Sequence, residues 1–251
     1  MESADIAVLA TNQINQLTTG AIAALTTDQV KALSSAQLNA LTSAQLGAME
    51  TADVAALSTR QVSQLNTAQI ALLSTAQIVG LGTAQVKSLG TAQIAALTST
   101  QLNAMASDDL QTLSSAQIKA LTTAQVSALT TGQIVALSSA QVAALSTAQV
   151  ASLTSAQLNA MASDDVKALT TAQVKAFTST QLAALTSTQV ALMETADIAA
   201  LATNQINQLT TGAIAALTTG QVKALSSAQL NALTSAQIQA MGSAQIGVLP
   251  Y

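Results

Sequence analysis

The chain has 251 residues, half of them hydrophobic, with seven basic and eleven acidic residues and a formal net charge of −4. This balance offers no positive surface for DNA or RNA, and no run of about 18 apolar residues is present to cross a membrane as a helix. The absence of His and Cys removes the usual general bases, thiol nucleophiles and zinc or haem ligands. We therefore predict a protein that binds no nucleic acid, has no transmembrane segment and is not an enzyme, with no catalytic, cofactor-binding or metal-binding residues.

From Asp5 onward the chain repeats every eight residues without insertion or deletion. Residues 115–122, SAQIKALT, represent the octad, and we number its positions from Gln117 as position one. Position two is Ile, Val or Leu, position four is mostly Ala, position five is nearly always Leu or Met, and position seven is Ser or Thr from Ser3 to Ser243. The 31 octads predict one array of equivalent structural units, taken as a single domain over residues 1–251.

Each octad is predicted to form a short helix. Thr170, followed three residues later by Gln173, matches the capping box. Acids at positions eight and one, such as Asp28 and Asp53, suit the start of a helix, and lysines at position three, such as Lys119, suit its end. The sequence leaves open whether position six or position seven supplies the cap. Position seven is favoured where Ala fills position six, as at four octads: Ala10, Ala106, Ala162 and Ala202.

The fold class predicted is all-α, a solenoid of about 31 eight-residue mini-helices. The alternative is a β-solenoid, which the Val, Ile and Thr content would suit. Gly is too sparse and scattered to supply the fixed corners of a tight β-solenoid. One continuous helix is excluded, because eight residues at 3.6 per turn rotate the apolar stripe by about 80° per octad.

The energetics predict that octads stack on one another, because two large side chains cannot order eight residues alone. Neighbouring octads are expected to share a core made of positions two, four and five, with Ala at position four letting backbones approach. Position three is expected to face solvent, and Ser, Thr, Gln and Asn are expected on the outside. The expected product is a narrow, rod-like superhelix.

Longer copies occur inside the array. Residues 1–48 reappear as 193–240, an offset of 192 residues or 24 octads. The string QLNAMASDD at 101–109 recurs at 157–165, an offset of 56 residues or seven octads. Since seven is neither even nor a multiple of three, no unit of two or three octads is preserved, and every octad is expected to be structurally equivalent.

Few side chains are candidates for a binding site. The acidic pairs are interpreted as first-turn acids, because the other oxygen ligands of a calcium loop are missing; they are Asp108–Asp109 and Asp164–Asp165. The methionines that recur every seven octads occupy the Leu position and are interpreted as core residues; they are Met49, Met105 and Met161. Arg60 is interpreted as a lone surface charge. Pro250 falls in the cap position, where it cannot continue a repeat.

Residues 121–150, LTTAQVSALTTGQIVALSSAQVAALSTAQV, resemble the octapeptide arrays of very large bacterial surface or secreted proteins, often labelled as haem-utilisation or adhesion proteins. The resemblance covers nearly the whole chain and implies an exported, adhesin-like or filament-forming protein. The residues do not support haem binding, since there is no His and Tyr251 is the only aromatic oxygen ligand.

The function predicted is therefore structural: an extracellular or cell-surface stalk, or a filament-forming, adhesin-like segment that associates with itself into a fibre or array. The alternative is a ligand- or ice-binding surface module on a solenoid. Position three varies among Ala, Ser, Asn and Lys, and Ser and Thr interchange freely at positions six and seven, so neither a paratope nor an ice lattice match is indicated.

Overall fold

The structure is a computed structural model, which describes residues 2–249. It contains thirty-one short helices, one for each octad, and residues 2–249 contain no β-strand. The predicted all-α solenoid of mini-helices is confirmed, and the β-solenoid alternative is wrong. The helices form two compact units, residues 1–129 and residues 130–251, which are built from the same octad.

The first unit contains sixteen helices of four to six residues each. Their bounds are α1 (Ser3–Ala7), α2 (Thr11–Ile14), α3 (Thr19–Ala23), α4 (Thr27–Ala32), α5 (Ser35–Ala40), α6 (Ser43–Ala48), α7 (Thr51–Ala56), α8 (Thr59–Ser63), α9 (Thr67–Leu72), α10 (Thr75–Gly80), α11 (Thr83–Ser88), α12 (Thr91–Ala96), α13 (Ser99–Ala104), α14 (Ser107–Gln111), α15 (Ser115–Ala120) and α16 (Thr123–Ala128).

The second unit contains fifteen helices of the same lengths. Their bounds are α17 (Thr131–Ala136), α18 (Ser139–Ala144), α19 (Thr147–Ser152), α20 (Ser155–Ala160), α21 (Ser163–Ala168), α22 (Thr171–Lys175), α23 (Ser179–Ala184), α24 (Ser187–Leu192), α25 (Thr195–Ala200), α26 (Thr203–Ile206), α27 (Thr211–Ala215), α28 (Thr219–Lys223), α29 (Ser227–Asn231), α30 (Ser235–Ala240) and α31 (Ser243–Ile246).

Position six caps each helix, and position seven is its first residue. In α15, the backbone of Ser114 is extended, and its Oγ accepts a hydrogen bond from the N–H of Gln117 at 3.3 Å. The Gln117 Oε1 accepts in return from the N–H of Ser114 at 2.8 Å, which completes a capping box. The preference for position seven as the cap was wrong. The octads with Ala at position six still begin their helices at position seven and have no side-chain cap bond.

Two extended residues turn the chain between most helices. Leu121 has φ −57° and ψ 138°, and Thr122 has φ −73° and ψ 158°, values close to polyproline II that any L-residue adopts. No described residue has a positive φ. The turn therefore requires no Gly, which explains why glycines are scattered through the array.

Each helix packs against helices from the next turn of the solenoid. In the first unit α9 contacts α12, and Gln101 of α13 donates to the carbonyls of Ile70 and Leu73 of the α9 octad. In the second unit α18 contacts α21, and Gln173 of α22 donates to the carbonyls of Val142 and Leu145. Within each unit a helix thus lies between the helices three and four octads later, and one turn holds between three and four octads.

The core consists of positions one, two and five. Gln117, Ile118 and Leu121 are buried, Ala120 is half-buried and Lys119 is exposed. The expected solvent exposure of position three and burial of positions two and five are confirmed. The expectation that Gln lies outside is wrong, because Gln occupies the core at position one in nearly every octad.

Position four meets position seven of the helix three octads earlier. Ser88 Oγ donates to the carbonyl of Thr59 at 3.2 Å. At Gly80, a Cβ atom would lie 2.5 Å from Cγ2 of Thr51, so only Gly fits that approach. The small residues of position four therefore set how closely successive turns approach.

Candidate functional site: the buried glutamine ladder

Gln125 in α16 shows what the invariant amide does. Its side chain is 3 % exposed. Its Oε1 accepts from the N–H of Thr122 at 2.7 Å, within its own octad. Its Nε2 donates to the carbonyls of Ile94 and Leu97, one turn earlier, at 2.9 Å and 2.6 Å. One side chain thus caps its own helix and binds the end of another helix.

These bonds require a primary amide on a two-carbon stem. The two carbonyl oxygens of the earlier octad need two donors, and the cap N–H needs one acceptor, which is the inventory of a Gln amide. Glu would place a carboxylate against two carbonyls, and Asn is one methylene shorter. Short helices leave many end groups without intrahelical partners, so this amide removes a cost that every octad would otherwise carry.

We call the set of position-one glutamines that bind the octad four earlier the glutamine ladder. Its members in the first unit are Gln37, Gln45, Gln61, Gln69, Gln77, Gln85, Gln93, Gln101, Gln117 and Gln125. Its members in the second unit are Gln173, Gln181, Gln189, Gln205, Gln221, Gln229, Gln237 and Gln245. Sequence reasoning used only the capping half of this role. The strictness of Gln across so many octads was the signal that could have revealed the other half.

Asp replaces Gln at four buried positions of the ladder. These are Asp53, Asp109, Asp165 and Asp197, all at most 9 % exposed. A carboxylate has no N–H for the carbonyls one turn earlier. Three of them accept instead from a hydroxyl three helices earlier, in the pairs Thr83–Asp109, Ser139–Asp165 and Thr171–Asp197, at 2.8–2.9 Å.

Two of these carboxyls are electrostatically unfavourable. Burial raises the pKa of Asp197 above its ordinary value, although hydrogen bonds from Thr171 and the Glu194 backbone oppose the shift. Burial likewise raises the pKa of Asp53. The Oδ2 atom of Asp197 is buried and has no hydrogen-bond partner among the described residues. The Asp octads are therefore weak points of the ladder.

The acidic pairs do not form dyads. Asp109 is buried whereas Asp108 is exposed, and Asp164 forms an ion pair with Lys167 at 3.5 Å on the surface. Residues 2–249 contain no group of three or more potential metal ligands among Asp and Glu. The methionines interpreted as core residues are buried: Met49, Met105 and Met161. Pro250 and Tyr251 lie outside the described residues.

Arg60 does not stand alone. It lines a groove of about 280 Å³ together with Lys31, which belongs to α4, four helices before the α8 of Arg60. Hydroxyl-bearing residues complete the lining, namely Ser34, Ser35 and Ser58. Lys31 also lies 3.8 Å from Asp28, and both side chains are largely exposed. The groove therefore offers two cations and several hydroxyl groups to solvent.

A sequence comparison matches the ALTTAQ repeat model eight times. The matched ranges are 1–35, 46–83, 78–107, 102–139, 131–163, 158–192, 190–227 and 219–250. The chain belongs to the ALTTAQ repeat family. No curated protein matches it. No helix among residues 2–249 of this ALTTAQ repeat protein is long and apolar enough to cross a membrane.

The six letters of the ALTTAQ motif fall on the junction between helices. Residues 120–125 read ALTTAQ, from the last residue of α15 to the ladder position of α16. They include the buried Leu121, the cap Thr122 and the ladder residue Gln125. The motif is thus the set of side chains that ends one helix, starts the next and joins it to the previous turn.

Proposed function

We propose that this ALTTAQ repeat protein is a structural, filament-forming segment of an extracellular or cell-surface stalk, adhesin-like and without catalysis. The observation that carries the proposal is the glutamine ladder. Every ladder bond joins an octad to the one four later, and the same bonds occur in both units. Such an array can lengthen by whole octads without a new kind of contact.

Unused ladder groups occur at the first and last turns of the described array. Near the start, Gln13 is exposed, and its Nε2 has no hydrogen-bond partner within residues 2–249. Near the end, Ile238 and Ile246 are 45 % and 41 % exposed, whereas Ile118 at the same position in the interior is fully buried. One end thus presents an amide donor, and the other presents apolar side chains beside the carbonyls that such amides bind.

These two surfaces fit one another in the same way as successive turns do. A second copy placed on the last turn would cover the exposed Ile side chains and supply amide donors to the carbonyls of Ile246 and its neighbours. Such a contact is heterologous, and a heterologous contact that does not close into a ring propagates into a filament. We therefore expect the 251-residue chain to associate end to end.

Analytical ultracentrifugation over a concentration series, with electron microscopy of the same samples, tests this association. Ile246→Lys places a charge on the last turn and should shorten or abolish the filaments. Gln239→Lys changes an exposed position-three residue of α30, where Lys occurs naturally in other octads, and should leave them intact. An ideal monomer at every concentration would rule end-to-end assembly out.

The surface location is tested separately. The sequence resemblance to arrays of exported proteins supports it, and the absence of Cys is compatible with it. Antibodies against the chain should label intact source cells as strongly as permeabilised ones. Labelling only after permeabilisation would contradict an extracellular location.

A second candidate function is a ligand-binding surface, favoured by the groove that contains Lys31 and Arg60. Cations with hydroxyl groups suit an anionic ligand, because both donate to its oxygens. Titration calorimetry with inorganic phosphate should then show binding that is lost in Arg60→Ala. Lys223→Ala, far along the chain, is the matched control. Equal heats for all three proteins would exclude the groove as an anion site.

A further inference from the structure

The charged residues occupy only a few of the helices. In the first unit all of them belong to the octads of seven helices, which are α1, α4, α7, α8, α11, α14 and α15. In the second unit they belong to four helices, which are α21, α22, α25 and α28. The six lysines form three pairs separated by 56 residues: Lys31 and Lys87, Lys119 and Lys175, and Lys167 and Lys223.

The turn geometry gives this spacing a meaning. A helix lies between the helices three and four octads later on the next turn. Three octads followed by four lead two turns along the solenoid and back to the same side. Helices seven octads apart, or 56 residues, therefore lie in one column. The seven-octad period of the sequence, which preserves no unit of two or three octads, corresponds to two turns of the solenoid.

The charged helices of the first unit form one continuous stripe. α4 contacts α1 and α7, and α11 contacts α8 and α14. Gln61 of α8 donates to carbonyls of the α4 octad, and Gln117 of α15 donates to carbonyls of the α11 octad. In the second unit α25 contacts both α22 and α28, so the charged helices are neighbours there as well.

The other helices of the first unit form a continuous charge-free face. Its members are α2, α3, α5, α6, α9, α10, α12, α13 and α16. Within it α9 contacts α6 and α12, and ladder bonds join α9 to α5 and α13, so all four neighbours of α9 lack charges. We call this surface, centred on α9, the neutral face.

The neutral face also carries exposed apolar side chains. Leu72 of α9 is 47 % exposed and Val79 of α10 is 57 % exposed. Around them, position three holds small residues that do not protrude, such as Gly47 and Ala71. In the second unit the exposed Val135 likewise lies on a helix without charges, α17.

We infer that the neutral face is a lateral packing surface, and that its partner is the neutral face of a second copy of this chain. The inference rests on the proposed structural function and extends it from elongation to bundling. Interface centres are depleted in charged residues and contain exposed apolar groups, because burying an unpaired charge is costly. The charged stripe remains in water, where its lysines and carboxylates keep the copies soluble.

The spacing of the surface identifies the partner. Rows of short helices separated by the turn spacing make ridges and grooves of one fixed period. A second copy has the same period, so its ridges match these grooves over many turns at once, and each turn repeats the contact. An unrelated globular protein would match over one or two ridges only.

Two variants with the same substitution test the lateral contact. Ala71→Lys introduces a charge at position three of α9, at the centre of the neutral face. Ala55→Lys makes the same change at position three of α7, in the charged stripe. Both alanines are exposed, both accept a weak ladder bond through their carbonyls, at 3.3 Å and 3.2 Å, and Lys fills this position in six other octads. Far-UV circular dichroism should therefore show the same helix content for both.

Sedimentation velocity and electron microscopy provide the readouts. Ala71→Lys should weaken lateral association at least tenfold and convert bundles into single filaments of unchanged length. Ala55→Lys should leave the bundle width as in the wild-type chain. Equal bundling by both variants, or single-width filaments from the wild-type chain, would overturn the lateral contact while end-to-end assembly stands. Particles paired side by side that never elongate would instead overturn the end-to-end contact.

Discussion

The ladder position of α16 and that of α25 show two ways of filling the same space. Gln125 and Asp197 are both third residues of their helices and both almost fully buried. Gln125 bonds to three backbone groups, two of them one turn away. Asp197 accepts from the Thr171 hydroxyl and leaves its Oδ2 unpaired within the described chain.

The difference shows that hydrogen-bonding capacity, rather than volume, selects Gln at this position. The backbones of α16 and α25 have the same form, so the fold accommodates Asp where neighbouring octads hold the geometry. The Asp octads have a second deficit, because Glu or Ala replaces the Ser/Thr cap in each of them. These octads should therefore contribute least to the stability of the array.

The largest effect is expected from breaking a good ladder position. Gln125→Glu removes both donors to Ile94 and Leu97 and buries a carboxylate beside their carbonyls. The free energy of unfolding should fall by about 3–5 kcal/mol, the cost of leaving a buried charge uncompensated. Urea denaturation followed by circular dichroism measures it. Gln239→Glu, on the exposed surface of α30, is the control and should change stability little; equal losses would contradict the ladder.

The converse change should repair a weak position. Asp197→Gln supplies two donors to the carbonyls of Val166 and Leu169, which stand where ladder bonds form in other octads. We expect a gain of about 1–3 kcal/mol at neutral pH, from two net hydrogen bonds and the removal of a buried charge. A loss of stability in the same urea titration would show that the Thr171 hydroxyl bond matters more than the ladder.

The pH dependence of stability separates the charge of Asp197 from its shape. Because burial raises the pKa of this carboxyl in the folded chain, the folded state binds the proton more tightly than the unfolded state. The resulting stabilisation is complete below the unfolded pKa and is lost as the pH rises through the raised folded pKa. The charge of Glu194 acts in the same direction.

Asp197→Asn keeps the shape and removes this titration. Relative to the wild-type chain, the variant should gain most at neutral pH, and the difference should shrink as the solution is acidified through the range in which the carboxyl titrates. Urea midpoints at several pH values measure it. A difference that is constant across pH would contradict the raised pKa, and Asp53→Asn should behave in the same way because burial raises the pKa of Asp53 too.

The smallest effect concerns the caps. Thr122→Ala removes the Oγ1 that accepts from the N–H of Gln125 at 3.1 Å, and should cost about 1 kcal/mol. Ala106→Ser adds a cap to α14 and should stabilise by a similar or smaller amount. The same urea titration checks both. A stabilising Thr122→Ala would argue against position six as the cap.

The sequence by itself determined the unit of this protein. The uninterrupted period of eight excluded a continuous helix, and the pairing of Ser or Thr with a Gln three residues later indicated a capped mini-helix. Ile118 and Leu121 were assigned to the core and Lys119 to solvent from their variability alone. These features are local, because an octad carries its own cap, apolar pair and solvent residue.

The tertiary structure alone decided how octads meet. Identical repeats do not say which octads are neighbours, since any number per turn gives the same pattern, and only the contacts of each helix with those three and four octads later fix the turn. That geometry brings the carbonyls of Ile94 and Leu97 to the side chain of Gln125. Gln is buried because those carbonyls need its two donors, and no property of the isolated octad reveals that need.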